Sequence, residues 1–383
     1  MPLFETSKIY LSVSSEGFGH SSRALAIAEE FAKNEIIIGT YSYALDRCKN
    51  KGFNCAELPQ ELSLVGEKGA FDVKKTIIKN HAWALNFNDI VNSEINIIKE
   101  NGASCVVADG RMAPVMAADK LSLPCVVITN QSAFYPFFEK DSALIRVFGK
   151  SFDWIMKTWM SSAEEIMIPD FPPPYTVCLD SLSRNFKVMK RTRFVGPLVC
   201  FDANNIEAIE KPSDKYIVVT LGGHAYRKPL FDNVLETAKI LKDYHFDVFC
   251  NFESNEIPDN VRILNRIASV APYMNAADLV ITQAGHSTAM ELLTLGKPSV
   301  IIPDSKQAEQ ENNAARMEAL KTAVKLEYEE FLPIKLAESV KKVMNEPVYS
   351  ENAQKFKVMA QEIQGSKNAA EVIREYSARL QCY

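Results

Sequence analysis

Between residues 271 and 317 the chain sets a glycine, a histidine, two hydroxyls and several acids and amides at spacings that suit anion and diol chemistry. The apolar run 278–282 predicts a strand. It leads into Gln283-Ala284-Gly285-His286-Ser287-Thr288, where a helix is expected to open with Glu291 in its first turn. Gly296-Lys297-Pro298, a second predicted strand at 299–302 and Pro303 follow, and then a polar helix start, Glu309-Gln310-Glu311-Asn312-Asn313-Ala314. A strand, a loop of small residues and a helix N-terminus turn free backbone N–H groups and the positive end of the helix dipole toward one spot. That spot suits a diphosphate, and the Glu291 carboxylate suits a ribose diol. The competing reading is structural: any doubly wound α/β domain repeats strand–loop–helix units, and Gly285 alone fits a turn.

Three further loops carry glycine. Ser14-Ser15-Glu16-Gly17-Phe18-Gly19-His20 follows the first predicted strand. A dinucleotide fingerprint fails there, because position 22 is Ser and no acid closes the second strand. Leu221-Gly222-Gly223-His224 ends another predicted strand, where a tight turn or a phosphate contact both need small residues. Asp109-Gly110-Arg111 ends a third. Asp109 lies at the carboxyl end of a parallel strand, where such sheets bind ligands, or it caps a helix at Ala113.

The elements that must hold these loops alternate. In the first half, strands are predicted at Lys8–Val13, 35–41, 53–57, 104–108 and 125–129, with helices at 21–33, 71–100 and Ala113–Leu121. Such βαβ alternation implies a parallel sheet covered on both faces. The pattern breaks from 193 to 212. It resumes with strands at 215–221, 246–250 and Val261–Leu264, a helix at 229–242, and a helical tail over 353–380. The fold class is therefore α/β.

A length of 383 residues favours two domains, and 47% apolar with 24% charged residues is ordinary for a soluble protein. A net charge of −5 gives no footprint for nucleic acid. No apolar run is long enough to span a bilayer, and no signal peptide is read at the start. Eight cysteines form no C-x-x-C pair and five histidines are scattered, so a metal site is not expected and reduced thiols in the cytoplasm are. Residues 134–160 are rich in Phe and Trp with Arg146, Lys150 and Lys157 interleaved. They read as a core helix, or as a face that docks a lipid-linked acceptor or touches the membrane from the cytoplasmic side.

The 267–314 block resembles the donor half of GT-B glycosyltransferases, especially the MurG-like group that uses UDP-N-acetylglucosamine, and in particular its poorly characterised relatives. The resemblance implies two Rossmann-like doubly wound domains facing across a cleft. The acceptor domain would be 1–197, the donor domain 212–355, and a last helix at about 360–383 would pack back on the first. It implies an inverting transfer of N-acetylglucosamine or another hexose from a UDP-sugar to an acceptor hydroxyl, with no cofactor and no metal. The loop from Gln283, with Gly285, His286, Ser287 and Thr288, would bind the diphosphate, and Glu291 the ribose. Glu309, Gln310 and Asn313 would read the sugar. Gly222, Gly223 and His224 would reach the phosphates, with His in place of the family's Ser, and Arg266 and Ile267 would cover the base. Gly17 and Gly19 would form the acceptor-side loop, with His20 as general base and Asp109 as the second candidate. The rival readings are a UDP-N-acetylglucosamine 2-epimerase on the same fold and a binding subunit that needs a partner chain.

Overall fold

The computed structural model describes residues 8–63, 65–67, 70–81, 83–131, 133–139, 141–178, 191–222, 227–265, 267, 269–283, 285–305, 307–328 and 331–379. By its contacts the chain divides into two compact units. The first comprises Met1–Val65, Val73–Cys200 and Ile363–Tyr383; the second comprises Gly66–Asp72 and Phe201–Glu362.

In the first unit seven strands run parallel. They are β1 (Lys8–Val13), β2 (Ile36–Thr40), β3 (Asn54–Glu57), β6 (Ala103–Asp109), β7 (Cys125–Ile128), β8 (Glu165–Ile168) and β9 (Thr192–Phe194). β4 (Gly66–Glu67) and β5 (Ala70–Phe71), in the short segment that groups with the second unit, form a separate antiparallel pair. The spatial order is β3-β2-β1-β6-β7-β8-β9. β1 and β2 are buried almost throughout, as strands covered on both faces must be. The order reverses between β1 and β6, where Val13 lies in register with Asp109. That reversal is the topological switch point at which open α/β sheets bind ligands beyond their carboxyl ends.

The second unit carries six parallel strands: β10 (Tyr216–Thr220), β11 (His245–Phe249), β12 (Val261–Leu264), β13 (Leu279–Thr282), β14 (Ser299–Ile301) and β15 (Ala323–Lys325). Their order is β12-β11-β10-β13-β14-β15, so the switch point falls between β10 and β13. The loops at Gly222 and Gln283 leave the carboxyl ends of these two strands.

Three expectations are corrected. The first helix is Phe18–Ala28, so the glycine loop ends at Gly17 and His20 already lies in the opening turn. Gly17 permits the early start with φ 79, a value other residues avoid. The second helix of interest is His286–Leu295, which puts Glu291 in its second turn and no acid in its first. The tail is two helices, Pro347–Ile363 and Gly365–Arg379, separated at Gln364 with φ 53. Ala369, Ala370, Val372, Ile373 and Tyr376 of the last helix complete the core under β1 and β6 of the first unit.

Candidate active site

At the switch point of the first unit, His20 Nδ1 lies 2.7 Å from Asp109 Oδ1. Arg23, one turn along the same helix, grips both oxygens of that carboxylate: Nε to Oδ2 at 3.0 Å and Nη2 to Oδ1 at 2.7 Å. Asp109 is fully buried and Arg23 nearly so, while the His20 side chain keeps 27% of its surface exposed. Burial works to raise the Asp109 pKa, but Arg23 and then His20 outweigh it and hold the carboxyl well below the usual range. It stays an anion and can only accept. Arg23 Nη2 also stands 2.8 Å from His20 Nδ1, and a guanidinium can only donate. The charge-assisted bond to the carboxylate is the stronger claim on that nitrogen, which assigns the proton of a neutral imidazole to Nδ1 and the lone pair to Nε2.

Gly110 makes room for this arrangement. Its φ is +71°, and a Cβ there would lie 2.6 Å from His20 Cε1 and 2.9 Å from Nδ1. Asp109 does not cap the helix Ala113–Leu121. Glu61, from the loop after β3, accepts from Met112 N at 3.0 Å and Ala113 N at 3.2 Å instead. The fully buried Arg111 donates to Glu94 at 2.9 Å and to Pro59 O at 3.1 Å, so the same loop is held from both sides.

In the second unit the helix His286–Leu295 opens at Gly285 with no side-chain cap. His286 is buried at its first position, and Ser287 and Thr288 are half-buried. Glu309 Oε1 stands 3.4 Å from His286 N, so one carboxylate oxygen of the chain already faces this N-terminus. Gln283 is 4% exposed and its Nε2 has no hydrogen-bond partner among the described residues. A buried amide left so is costly unless a ligand completes it. Glu291 is half-buried, Asn313 fully buried, and Ile267 half-buried just beyond β12. Gln310 is drawn elsewhere: Oε1 accepts from Asp304 N at 2.8 Å and Nε2 reaches Asp304 Oδ2 at 3.2 Å. Gly222 is described; Gly223, His224 and Arg266 lie outside the described residues.

Comparison with known proteins agrees with this architecture. The glycosyltransferase family 28 C-terminal domain matches residues 236–373, and the glycosyl transferase family 1 description matches 7–172. An uncharacterised glycosyltransferase of Methanosarcina mazei is 32% identical over 97% of this chain and 99% of its own. The chain is a GT-B glycosyltransferase. A UDP-N-acetylglucosamine–N-acetylmuramyl-(pentapeptide) pyrophosphoryl-undecaprenol N-acetylglucosamine transferase of Caldicellulosiruptor saccharolyticus is 23% identical over 94% of this chain and 95% of its own. In fold the transferase is similar to the calicheamicin glycosyltransferase CalG4, with TM-score 0.72 at 17% identity over 97% of this chain and 99% of that one. It is likewise similar to a Phytolacca americana transferase, with TM-score 0.72 at 15% identity over 97% and 100%.

Sequence reasoning missed several residues of the transferase that the structure brings to these loops. Arg23 carried a signal: it sits three residues after His20, one turn along the same helix, followed by the apolar run 24–28. Glu61, Glu94 and Asp304 carried none, since their partners lie 17 or more residues away, or across a turn that only the fold closes.

Proposed function

We propose that the transferase moves a hexosyl group, N-acetylglucosamine or another hexose, from a UDP-sugar to an acceptor hydroxyl with inversion at the anomeric carbon. The arrangement of His20, Asp109 and Arg23 carries this reading. An imidazole held in one tautomer by a buried anion, with its second nitrogen at a partly exposed position, is built to accept a proton. His20 Nε2 takes the acceptor proton as the hydroxyl oxygen bonds to the anomeric carbon. The bond from that carbon to the diphosphate breaks, and its electron pair leaves with UDP. Asp109 orients the imidazole and balances the charge it gains. The N–H groups of His286, Ser287 and Thr288, with the helix dipole, stabilise the leaving diphosphate, and the Gln283 amide, which has no partner among the described residues, adds a donor there. Glu291 holds the ribose, and Glu309 with Asn313 reads the sugar.

Two comparisons support the donor. The Caldicellulosiruptor relative is named for UDP-N-acetylglucosamine, and the Phytolacca enzyme was solved with UDP-2-fluoroglucose. For a lipid-linked acceptor or a membrane surface, support comes from the helix Ala143–Met160. It buries Gly149, Asp153, Met156 and Met160, while Leu144, Val147, Phe148 and Trp154 stand exposed beside Arg146 and Lys150. Thus it is both a packing helix and a candidate docking face. No helix among the described residues is long and apolar enough to cross a membrane.

The test is release of UDP from UDP-sugars by the parent and by His20→Ala, with an acceptor library. The reading expects turnover to fall by about 100- to 10,000-fold while UDP-sugar affinity is kept. A His20→Ala enzyme within about threefold of the parent, far short of that loss, overturns the base assignment.

A further inference from the structure

We propose that Asp304 is a positioning residue that sets two loops of the donor site with one carboxylate, an inference that rests on reading the second unit as the donor unit. Arg227 Nε lies 3.0 Å from Asp304 Oδ1 and 3.2 Å from Oδ2, and Nη2 also bonds Oδ2. The same guanidinium donates from Nη1 to Leu221 O at 2.8 Å, at the carboxyl end of β10. Gly222 lets it pass, because a Cβ there would lie 2.4 Å from Nη1. From the other side, Gln310 accepts the Asp304 N–H and donates back to its carboxylate. Arg227, Asp304 and Gln310 are 6%, 1% and 8% exposed, so water does not replace these bonds.

The lattice joins the glycine loop after β10 to the start of the helix Ala308–Ala319. Glu309 immediately precedes Gln310 on that helix, so its carboxylate is carried by the same tie. The Gln310 amide is committed at both ends to holding this turn, which makes it part of the support. Sugar reading is left to Glu309 and Asn313. An Arg fork and a carboxylate matched in this way fix direction as well as distance, so a lysine at 227 keeps the charge and loses the geometry.

Two consequences separate positioning from general stability. First, loosening should be shared by two segments and spare the rest of the unit. In Asp304→Asn, hydrogen exchange should rise on the order of tenfold at both 219–222 and 308–314, with little change in β11 and β12. Second, the donor KM should rise about tenfold with kcat at saturation within about threefold, the pattern of binding lost equally from the ground state and the transition state. Arg227→Lys should reproduce both effects, and the double variant should add little to either single one. It also serves as the second variant if Asp304→Asn does not fold. Exchange that rises evenly across the second unit, or at only one of the two segments, overturns the proposal, as do additive losses in the double variant. Linked loosening of both segments in a protein that binds no UDP would uphold the tie and overturn the nucleotide reading instead.

Discussion

Asp109 shows how a residue type visible in the sequence acquires a role only through its neighbours. Its place at the carboxyl end of β6 was legible, and two roles stayed open, base or helix cap. Arg23 and His20 hold its carboxyl well below the usual range, which weakens it as a base near neutral pH, and the helix cap belongs to Glu61. The sign of its pH effect follows. With the folded pKa lowered, the stabilisation is present above the unfolded value of about 3.9 and is lost as pH falls through the lowered folded value. Asp109→Asn leaves Arg23 buried beside a neutral amide, and breaking a buried pair in this way costs on the order of 3 kcal/mol. Urea unfolding at pH 7 should show that loss, and the gap between parent and variant should narrow below about pH 4. A gap that stays constant to pH 3 would remove the ion pair from the account. Gly110→Ala tests the same site without touching a charge. The added methyl meets the imidazole in a backbone conformation that alanine resists, so His20 must move. Turnover should fall by about 100-fold or more with UDP-sugar affinity held, measured by steady-state kinetics and calorimetry. Near-parental turnover would show that the position of His20 is not what the reaction needs.

The elements were legible wherever apolar runs were long and unbroken. β1, β2, β6 and β10 were read within about a residue, because strands buried on both faces leave little ambiguity. β8, β9 and β15 were not read: none exceeds four residues, and β9, Thr192–Phe194, places an arginine at its centre. Only pairing with an already formed neighbour makes such short segments strands. The break at Gln364 did carry a signal, since Gly365 and Ser366 follow it directly, but one glycine inside an otherwise helix-forming run was read through. The consequence is an element that folds with residues more than 250 positions away in sequence. Ile373, in the last helix, is fully buried among residues of β1, β6 and the first helix. Ile373→Ala should therefore destabilise the first unit by about 2–5 kcal/mol, the usual cost of such a cavity. Chemical denaturation followed by exchange at β1 and β6 would show it. A loss confined to the last helix itself would mean that the helix only leans on the core.

At the scale of the whole molecule, the chemistry is divided between two cores. His20, Asp109 and Gly110 hang on the first sheet, while Gln283, His286, Glu291 and Glu309 hang on the second, which has a separate hydrophobic cluster. A ligand that binds only the native state stabilises what it binds by an amount set by its concentration, about 2.7 kcal/mol at a hundredfold excess over Kd. UDP carries the base, ribose and diphosphate, and every residue assigned to those groups belongs to the second unit. Saturating UDP should therefore slow exchange in β10, β13 and the helix His286–Leu295, and change β1 and β6 far less. Asp109→Asn should leave that protection intact, because it alters only the first unit. Glu291→Ala should reduce it, with UDP affinity down about tenfold for a lost charge-assisted bond. The pattern has two ways to fail. Protection centred on β1 and β6 would move the nucleotide to the first sheet. Unchanged affinity in Glu291→Ala, with protection still centred on β13, would keep the diphosphate at the helix N-terminus and take the ribose away from Glu291.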